Sequence, residues 1–386
     1  MSLRGSTILQ VIPHLAAGGA ERTTIEVTEA LTAAGAKSLV ASAGGRLEGE
    51  LVRAGGELIR IDNLPTKNPF AIHANAGRLA HIAKQRGVSL IHARSRAPAW
   101  SALWAARRMK LPFVTTYHGV YKAKGPLKRL YNSVMARGDK VIANSDFTAA
   151  HILREHPWAQ GRIVTIHRGV DIARFSPAAV APDRKAALAA AWGLPSGHDT
   201  LILLPARLTA WKGHRDAIAA ASLMRQQHPS GWRMVFVGDH QGREAYLQEL
   251  HQLISANDLG DRVHIVGHCA DMPAALALAS VVIAPSNEPE AFGRVAAEAG
   301  AMGLPAIGSS IGAQGEIIVD GKTGYITPPA DPASLSAAMG RLLAMGPDGR
   351  KAIGEAARAR VLERFTTSAL QKATLSVYEG LTGQSS

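Results

Sequence analysis

Glu288 to Gly324 reads EPEAFGRVAAEAGAMGLPAIGSSIGAQGEIIVDGKTG. Two carboxylates, Glu290 and Glu298, stand eight positions apart with Phe292-Gly293 between them. A helix-forming run from Arg294 to Met302 follows, Gly303-Leu304-Pro305 ends it, and Pro305–Ile307 has the composition of a short buried strand. Glu290 thus precedes a helix, and Glu298 lies about two turns inside it at ~3.6 residues per turn. The amino end of a helix offers unpaired N–H groups and a partial positive charge, a ready seat for phosphate. Carboxylates beside such a seat suit hydroxyls, such as those of a ribose and a sugar. The combination points to a nucleotide-sugar site.

On either side of this stretch, short apolar runs alternate with helix-length segments, the mark of parallel sheets covered by helices. The first half offers strands at Ile8–Ile12, Ser38–Ala41, Leu58–Ile61, Leu90–His92, Phe113–Tyr117, Val141–Ala143 and Ile163–Ile166. The second half restarts with Leu201–Leu204, Met234–Val237, His264–Val266, Val281–Ala284, Pro305–Ile307 and Tyr325–Ile326. At 386 residues the chain is too long for one core. The expected fold class is therefore α/β, with two Rossmann-like domains whose parallel sheets face each other across a cleft. The boundary is expected between Gly169 and Gly197, where three prolines interrupt the pattern. After Pro332 the chain reads as all helical, and Thr367–Gly380 has no strand left to accompany.

The hydrophobic content of 47% and charged content of 19% describe a folded globular chain and exclude a disordered or fibrous one. A single cysteine, Cys269, excludes an internal disulfide, fits a reducing cytosol and reads as a small buried hydrophobe. The first residues lack the apolar core of a signal peptide, and no run of 18 apolar residues is present, so a cytoplasmic location is expected. The charge is lopsided. Residues 1–170 hold 24 Lys and Arg against 10 Asp and Glu, while residues 171–386 hold 19 against 20. Between Asp62 and Asp139 there is no acid at all, so the first half carries a basic field.

Ligands of such sheets bind at the carboxyl ends of strands. Arg207 and Lys212 follow Leu201–Leu204 there, and two cations at a strand end suit a diphosphate and the charge on a departing nucleotide. Gly18 and Gly19 follow Ile8–Ile12 and open a helix whose amides a ligand can approach. His118, after Phe113–Tyr117, is placed toward the ligand, with His14 in a similar position. Arg94 and Arg96, after Leu90–His92, are candidates for an anionic acceptor. The tract from Tyr121 to Met135 is basic, with Leu127, Leu130, Tyr131 and Val134 at helical spacing, a pattern able to lie on an anionic inner-membrane surface. No Asp-x-Asp pair, zinc spacing or P-loop occurs, so no metal or other cofactor is expected. The positive charge at a diphosphate would then come from Arg207, Lys212 and the helix terminus at Gly293.

These features together resemble the retaining glycosyltransferases of family 4, which have the GT-B fold. The resemblance runs through Gly18-Gly19-Ala20-Glu21, His118-Gly119, Gly169-Val-Asp-Ile-Ala-Arg-Phe175, Arg207 with Lys212-Gly213, Glu290-x7-Glu298, Gly303-x-Pro305 and Glu316. It implies that Glu290 holds donor-sugar hydroxyls, Glu298 the ribose, and Arg207 and Lys212 the diphosphate, with His118 near the sugar. Gly19 and the Glu290-Ala291-Phe292-Gly293 turn belong to the same donor-binding set. It also implies an acceptor-binding domain at residues 1–172, a donor-binding domain at 173–365, and a final helix at 366–386 that returns to the first domain. Where many relatives have Pro-Asn before Gly-Val-Asp, this chain has His167-Arg168, and after Met234–Val237 it has Gly238-Asp239-His240-Gln241-Gly242 in place of Gly-x-Gly. Ile91 to Trp100 is similar to members that build the lipopolysaccharide core, some of them mannosyltransferases.

The expected protein is thus a cytoplasmic, peripheral membrane glycosyltransferase, a metal-independent hexosyltransferase of lipopolysaccharide biosynthesis. Its partners would be a GDP- or UDP-sugar and a lipid-linked saccharide. Two alternatives are a sugar-nucleotide epimerase of similar fold, which needs acid and base groups across the cleft where only His118 and a few carboxylates are available, and a basic nucleic-acid-binding protein. Against the latter stand the aromatic content of 5% and the lack of a recognition helix, so no nucleic-acid partner is expected.

Overall fold

Every apolar run picked out above becomes a strand in the computed structural model, which describes residues 3–16, 18–121, 125–194 and 200–383. The first sheet contains β1 (Thr7–Val11), β2 (Lys37–Ser42), β3 (Gly56–Arg60), β4 (Val88–Ala93), β5 (Phe113–Tyr117), β6 (Lys140–Ala143) and β7 (Ile163–Thr165). The second contains β8 (Thr200–Pro205), β9 (Trp232–Val237), β10 (Val263–Ile265), β11 (Val281–Ala284), β12 (Ala306–Ser309) and β13 (Gly324–Thr327). All their pairings are parallel, in the orders β3-β2-β1-β4-β5-β6-β7 and β10-β9-β8-β11-β12-β13. Parallel strands are covered on both faces, which is why they read as unbroken apolar runs. Every residue of β1, β5 and β11 is buried.

Local chemistry fixes the helices between them. Pro69–Gln85 starts with Pro69 in its first turn, and Asn68 caps it by accepting from the N–H groups of Phe70 and Ala71. Asp331 caps Pro332–Ala344 through the Ser334 N–H. The basic tract forms a short helix, Pro126–Asn132, that tightens into a 3-10 turn at Ser133–Ala136. Its apolar positions therefore divide: Leu127 and Leu130 are 82% and 55% exposed, while Val134 is buried. Lys122 and Lys124 lie outside the described residues. Cys269 is half-buried rather than enclosed, and burial raises its thiol pKa.

The chain forms two units, Met1–Arg168 with Thr367–Ser386, and Gly169–Thr366. The last helix, Thr367–Thr382, belongs to the first unit. It buries Leu370, Thr374 and Tyr378, and Gln371 Nε2 donates to the Glu26 carbonyl at 2.7 Å. Tyr378 reaches the sheet itself, its hydroxyl 2.5 Å from His92 Nδ1. No helix among the described residues is long and apolar enough to cross a membrane.

The strand orders locate the chemistry. In each sheet the order reverses once, between β1 and β4 in the first unit and between β8 and β11 in the second. Neighbouring strand-end loops diverge at such a point and leave a crevice for ligands.

Candidate active site

The second unit assembles its site from the loops after β8 and β11. Arg207 stands exposed just beyond β8, its Nη1 3.5 Å from Gln241 Oε1. Gly238 permits this turn, because a Cβ there would run into the Ala206 carbonyl and the Arg207 N–H. The loop continues through a 3-10 turn at Ala210–Lys212 to Gly213, which has a left-handed φ of 77°. A Cβ on Gly213 would collide with the Pro285 carbonyl, so the two loops meet backbone to backbone. Asn287 fastens them. Its N–H donates to the Trp211 carbonyl at 2.7 Å, its amide donates to Asp216 Oδ2 at 2.6 Å, and its Oδ1 accepts from the Ala330 N–H at 2.9 Å.

This clasp brings Lys212 to Glu290 across 78 residues of sequence, with Nζ 2.8 Å from Oε1. The two side chains are only 13% and 11% exposed. Ser286 donates to the same Oε1 at 2.5 Å, and the Lys212 ammonium lies 4.2 Å from the centre of the Trp211 ring. The Glu290 backbone is pinned as well. Its carbonyl accepts from the Ala313 N–H at 2.8 Å, and Gly312 pairs beside it where any side chain would clash. Gly293, left-handed at φ 83°, opens the helix Arg294–Ala301 without a side-chain cap, leaving its first N–H groups for a ligand.

Glu298 is the fifth residue of that helix, one turn in rather than two, because the four steps from Arg294 complete only about one turn at ~3.6 residues per turn. Its carboxylate is 13% exposed and takes a 2.6 Å bond from Arg294 Nε. Ala291 is half-buried, but the Phe292 ring is in the core, 3% exposed and edge-on to Phe365. Only the Phe292 backbone can meet a ligand. Arg207, Lys212, Glu290, Gly293 and Glu298 thus all sit on the carboxyl side of one sheet, with Lys212 and Glu290 in direct contact.

In the first unit, Gly19 begins the helix Gly19–Ala33, and the Arg168 guanidinium lies against it. Arg168 Nη2 is also 3.1 Å from His118 Nδ1. Arg94 is a correction. Expected to face an acceptor, it is 2% exposed, and its Nε and Nη2 donate to Gln10 Oε1 at 2.9 and 2.6 Å inside the fold. Arg96 is the accessible one of the pair. It stacks on Tyr121, 4.1 Å from the ring centre, and donates to Asn132 Oδ1 at 2.9 Å.

Comparison with known proteins identifies the family. The model of glycosyl transferases group 1 covers residues 192–360, and that of glycosyltransferase family 4 covers residues 17–174. A glycosyltransferase of known structure from Rickettsia africae ESF-5 is 34% identical, over 97% of this chain and 98% of its own, with a TM-score of 0.90. The chain belongs to the family 4 glycosyltransferases. The D-inositol 3-phosphate glycosyltransferase of Streptomyces avermitilis is 31% identical over 71% of this chain, and the match spans 61% of that relative's length. Two more distant structures share the GT-B fold. Anabaena HepE, in complex with UDP and glucose, is 24% identical over 97% of this chain and 99% of its own, TM-score 0.80. WaaG, a glycosyltransferase involved in lipopolysaccharide biosynthesis, is 19% identical over 97% and 100%, TM-score 0.72.

Two imidazoles beneath the first unit's strand ends give this glycosyltransferase a pH signature. His92 is fully buried between Tyr378 and Thr116, whose Oγ1 is 2.7 Å from its Nε2. Burial, then the charge of Arg94, hold its pKa well below 6.5, and burial with Arg168 and Arg94 does the same for His118. Both are neutral in the fold and protonate near their ordinary value when unfolded. Above pH ~6.5 neither state carries these protons, so stability is unaffected. Below it the unfolded chain gains protons that the folded chain refuses, and stability falls by up to about 1.4 kcal/mol per pH unit for each imidazole. Melting temperatures from pH 8 to pH 5 should therefore begin to drop near pH 6.5, and His92→Gln should make the decline shallower. Flat melting over that range would contradict the account.

Sequence reasoning missed Ser286, Asn287 and Trp211, although the strand-end position of Ser286-Asn287 was a usable signal. It also missed the Gln10–Arg94 pair and the role of Tyr378, for which no local pattern exists.

Proposed function

We propose that this glycosyltransferase moves a hexose from a nucleotide-diphosphate sugar to a lipid-linked or lipopolysaccharide-core saccharide, with retention at the anomeric carbon and without a metal ion. The observation that carries the reading is the Lys212–Glu290 pair at the strand-order reversal of the second unit, 2.8 Å long and mostly dry. Before a donor arrives, each group satisfies the other. A diphosphate offers Lys212 a second anion, and release of Glu290 leaves a carboxylate acceptor for sugar hydroxyls. Arg207 adds charge from the exposed side, and the N–H groups beyond Gly293 face the phosphates. The acceptor hydroxyl attacks on the face that the nucleotide leaves, and no residue here is assigned as a covalent nucleophile. Retention rests on the family resemblance.

A UDP- or GDP-sugar is the donor class, and the UDP and glucose bound by Anabaena HepE favour testing UDP-sugars first. A lipopolysaccharide acceptor is favoured by the likeness to WaaG. Leu127 and Leu130, exposed and with Lys128 and Arg129 between them, together with the acid-free stretch between Asp62 and Asp139, suit peripheral attachment to an anionic cytoplasmic membrane face.

A thermal-shift panel of UDP, GDP and their sugars tests the donor. The correct ligand at 100 times its dissociation constant should stabilise the protein by about 2.7 kcal/mol. Stabilisation by none of these ligands, or by NAD or an oligonucleotide instead, would refute the reading.

A further inference from the structure

We propose that Arg168 is a positioning residue that fixes the tautomer of His118, so that the imidazole presents Nε2–H as a hydrogen-bond donor to an oxygen of the sugar nucleotide. The nature of the ligand rests on the reading above; the tautomer rests on geometry alone.

Arg168 Nη2 lies 3.1 Å from His118 Nδ1 and 3.5 Å from the His118 carbonyl. A guanidinium has donors and no acceptor, so Nδ1 must be the proton-free nitrogen, and the single proton of the neutral ring sits on Nε2. That nitrogen is buried and has no hydrogen-bond partner among the described residues. A buried N–H left without an acceptor is unfavourable, and an incoming oxygen relieves it. His118 follows directly on β5, at the carboxyl ends of the strands, where a ligand of this fold is expected.

The guanidinium is itself held in place. A Cβ added to Gly19 would coincide with Arg168 Nη1, so the bare α-carbon of Gly19 is the surface against which the arginine lies. Among the described residues, the charged and titratable groups around the ring are Arg168 on one side, Arg94 and His92 from β4 and the residue just past it, and Tyr121 beyond the end of β5. Both arginines oppose a second proton on the imidazole. With Nδ1 occupied and Nε2 already protonated, His118 has no lone pair to offer as a general base. It acts as a donor only, which also removes the acid and base pair that an epimerase would need around it.

The test uses full-length protein labelled with 15N-histidine, with the His118 ring assigned by comparison with His118→Gln. Long-range 1H–15N spectra distinguish the two tautomers without any substrate. The wild-type ring should remain protonated on Nε2 alone from pH 8 to pH 5.5. Arg168→Gln keeps a donor and loses the charge, so the same tautomer should persist while protonation begins at higher pH. Arg168→Ala should give a mixture of tautomers, and Gly19→Ala should reproduce it by displacing the guanidinium. Affinity for whichever of UDP-glucose or GDP-mannose binds the wild type should fall about tenfold in Arg168→Ala and be largely kept in Arg168→Gln. If Arg168→Ala fails to fold, Gly19→Ala and Arg168→Gln carry the test. A wild-type ring protonated on Nδ1, or spectra unchanged in Arg168→Ala and Gly19→Ala, would overturn the role of Arg168. The predicted spectra with no sugar nucleotide bound by the wild type would overturn the ligand instead.

Discussion

Glu290→Gln is expected to lower turnover about 100-fold while the protein still folds. The substitution keeps size and one carbonyl oxygen but removes the charge that Lys212 and Ser286 converge on at 2.8 and 2.5 Å. In the proposed reaction the carboxylate orients the sugar whose bond to phosphate breaks, so the loss falls on kcat more than on KM. Stability should also drop, by about 1–3 kcal/mol, because a mostly buried ammonium loses its counter-ion. Sugar-transfer kinetics and urea melts of the same preparation separate the two effects. Activity like the wild type in Glu290→Gln would remove this residue from the mechanism.

Lys212→Ala should lose still more, about 100- to 1,000-fold in kcat, as expected when a group that stabilises developing negative charge is removed. Arg207 is too exposed to replace it, and the ammonium is aimed by its neighbours: Gly213 locks the turn against Pro285, and Trp211 lies under the side chain. Lys212→Arg should recover little of the loss, because a planar fork does not fit where a compact ammonium sat. The double variant Lys212→Met with Glu290→Gln provides the control. It should regain much of the stability lost in Glu290→Gln, since both members of a dry pair are then neutral, yet remain inactive. Recovery of activity along with stability would mean that the pair is structural.

Much of this molecule was legible beforehand because its strands are buried on both faces. A run such as Val281–Ala284 has to be apolar throughout, so the sequence marks it directly. Edges were less sharp: β3 begins at Gly56, two residues before the apolar run at Leu58, because hydrogen bonding continues where side-chain burial does not. Arg207, Lys212, Glu290 and Glu298 could be singled out as candidates from position alone, since each follows a strand or lies in the helix after one. Their partners were a different matter. Lys212 meets Glu290 through the Gly213–Pro285 contact and the Asn287 bonds, and nothing local encodes a meeting between residues 78 apart. Arg94 was misplaced for the same reason: a cation after a strand normally faces solvent, and its burial depends on Gln10, Glu26 and Tyr378, all far away in sequence.

The order of synthesis acquires a meaning from the last helix. The segment from Gly169 to Thr366 is continuous, so it can complete its core as soon as it leaves the ribosome. The amino-terminal lobe, though made first, must wait for Tyr378 to reach His92 before its own interior closes. A chain ending at Thr366 would therefore display a finished rear half and an unfinished front one. Quality control acting on such products would be recognising the oldest part of the polypeptide, not the newest.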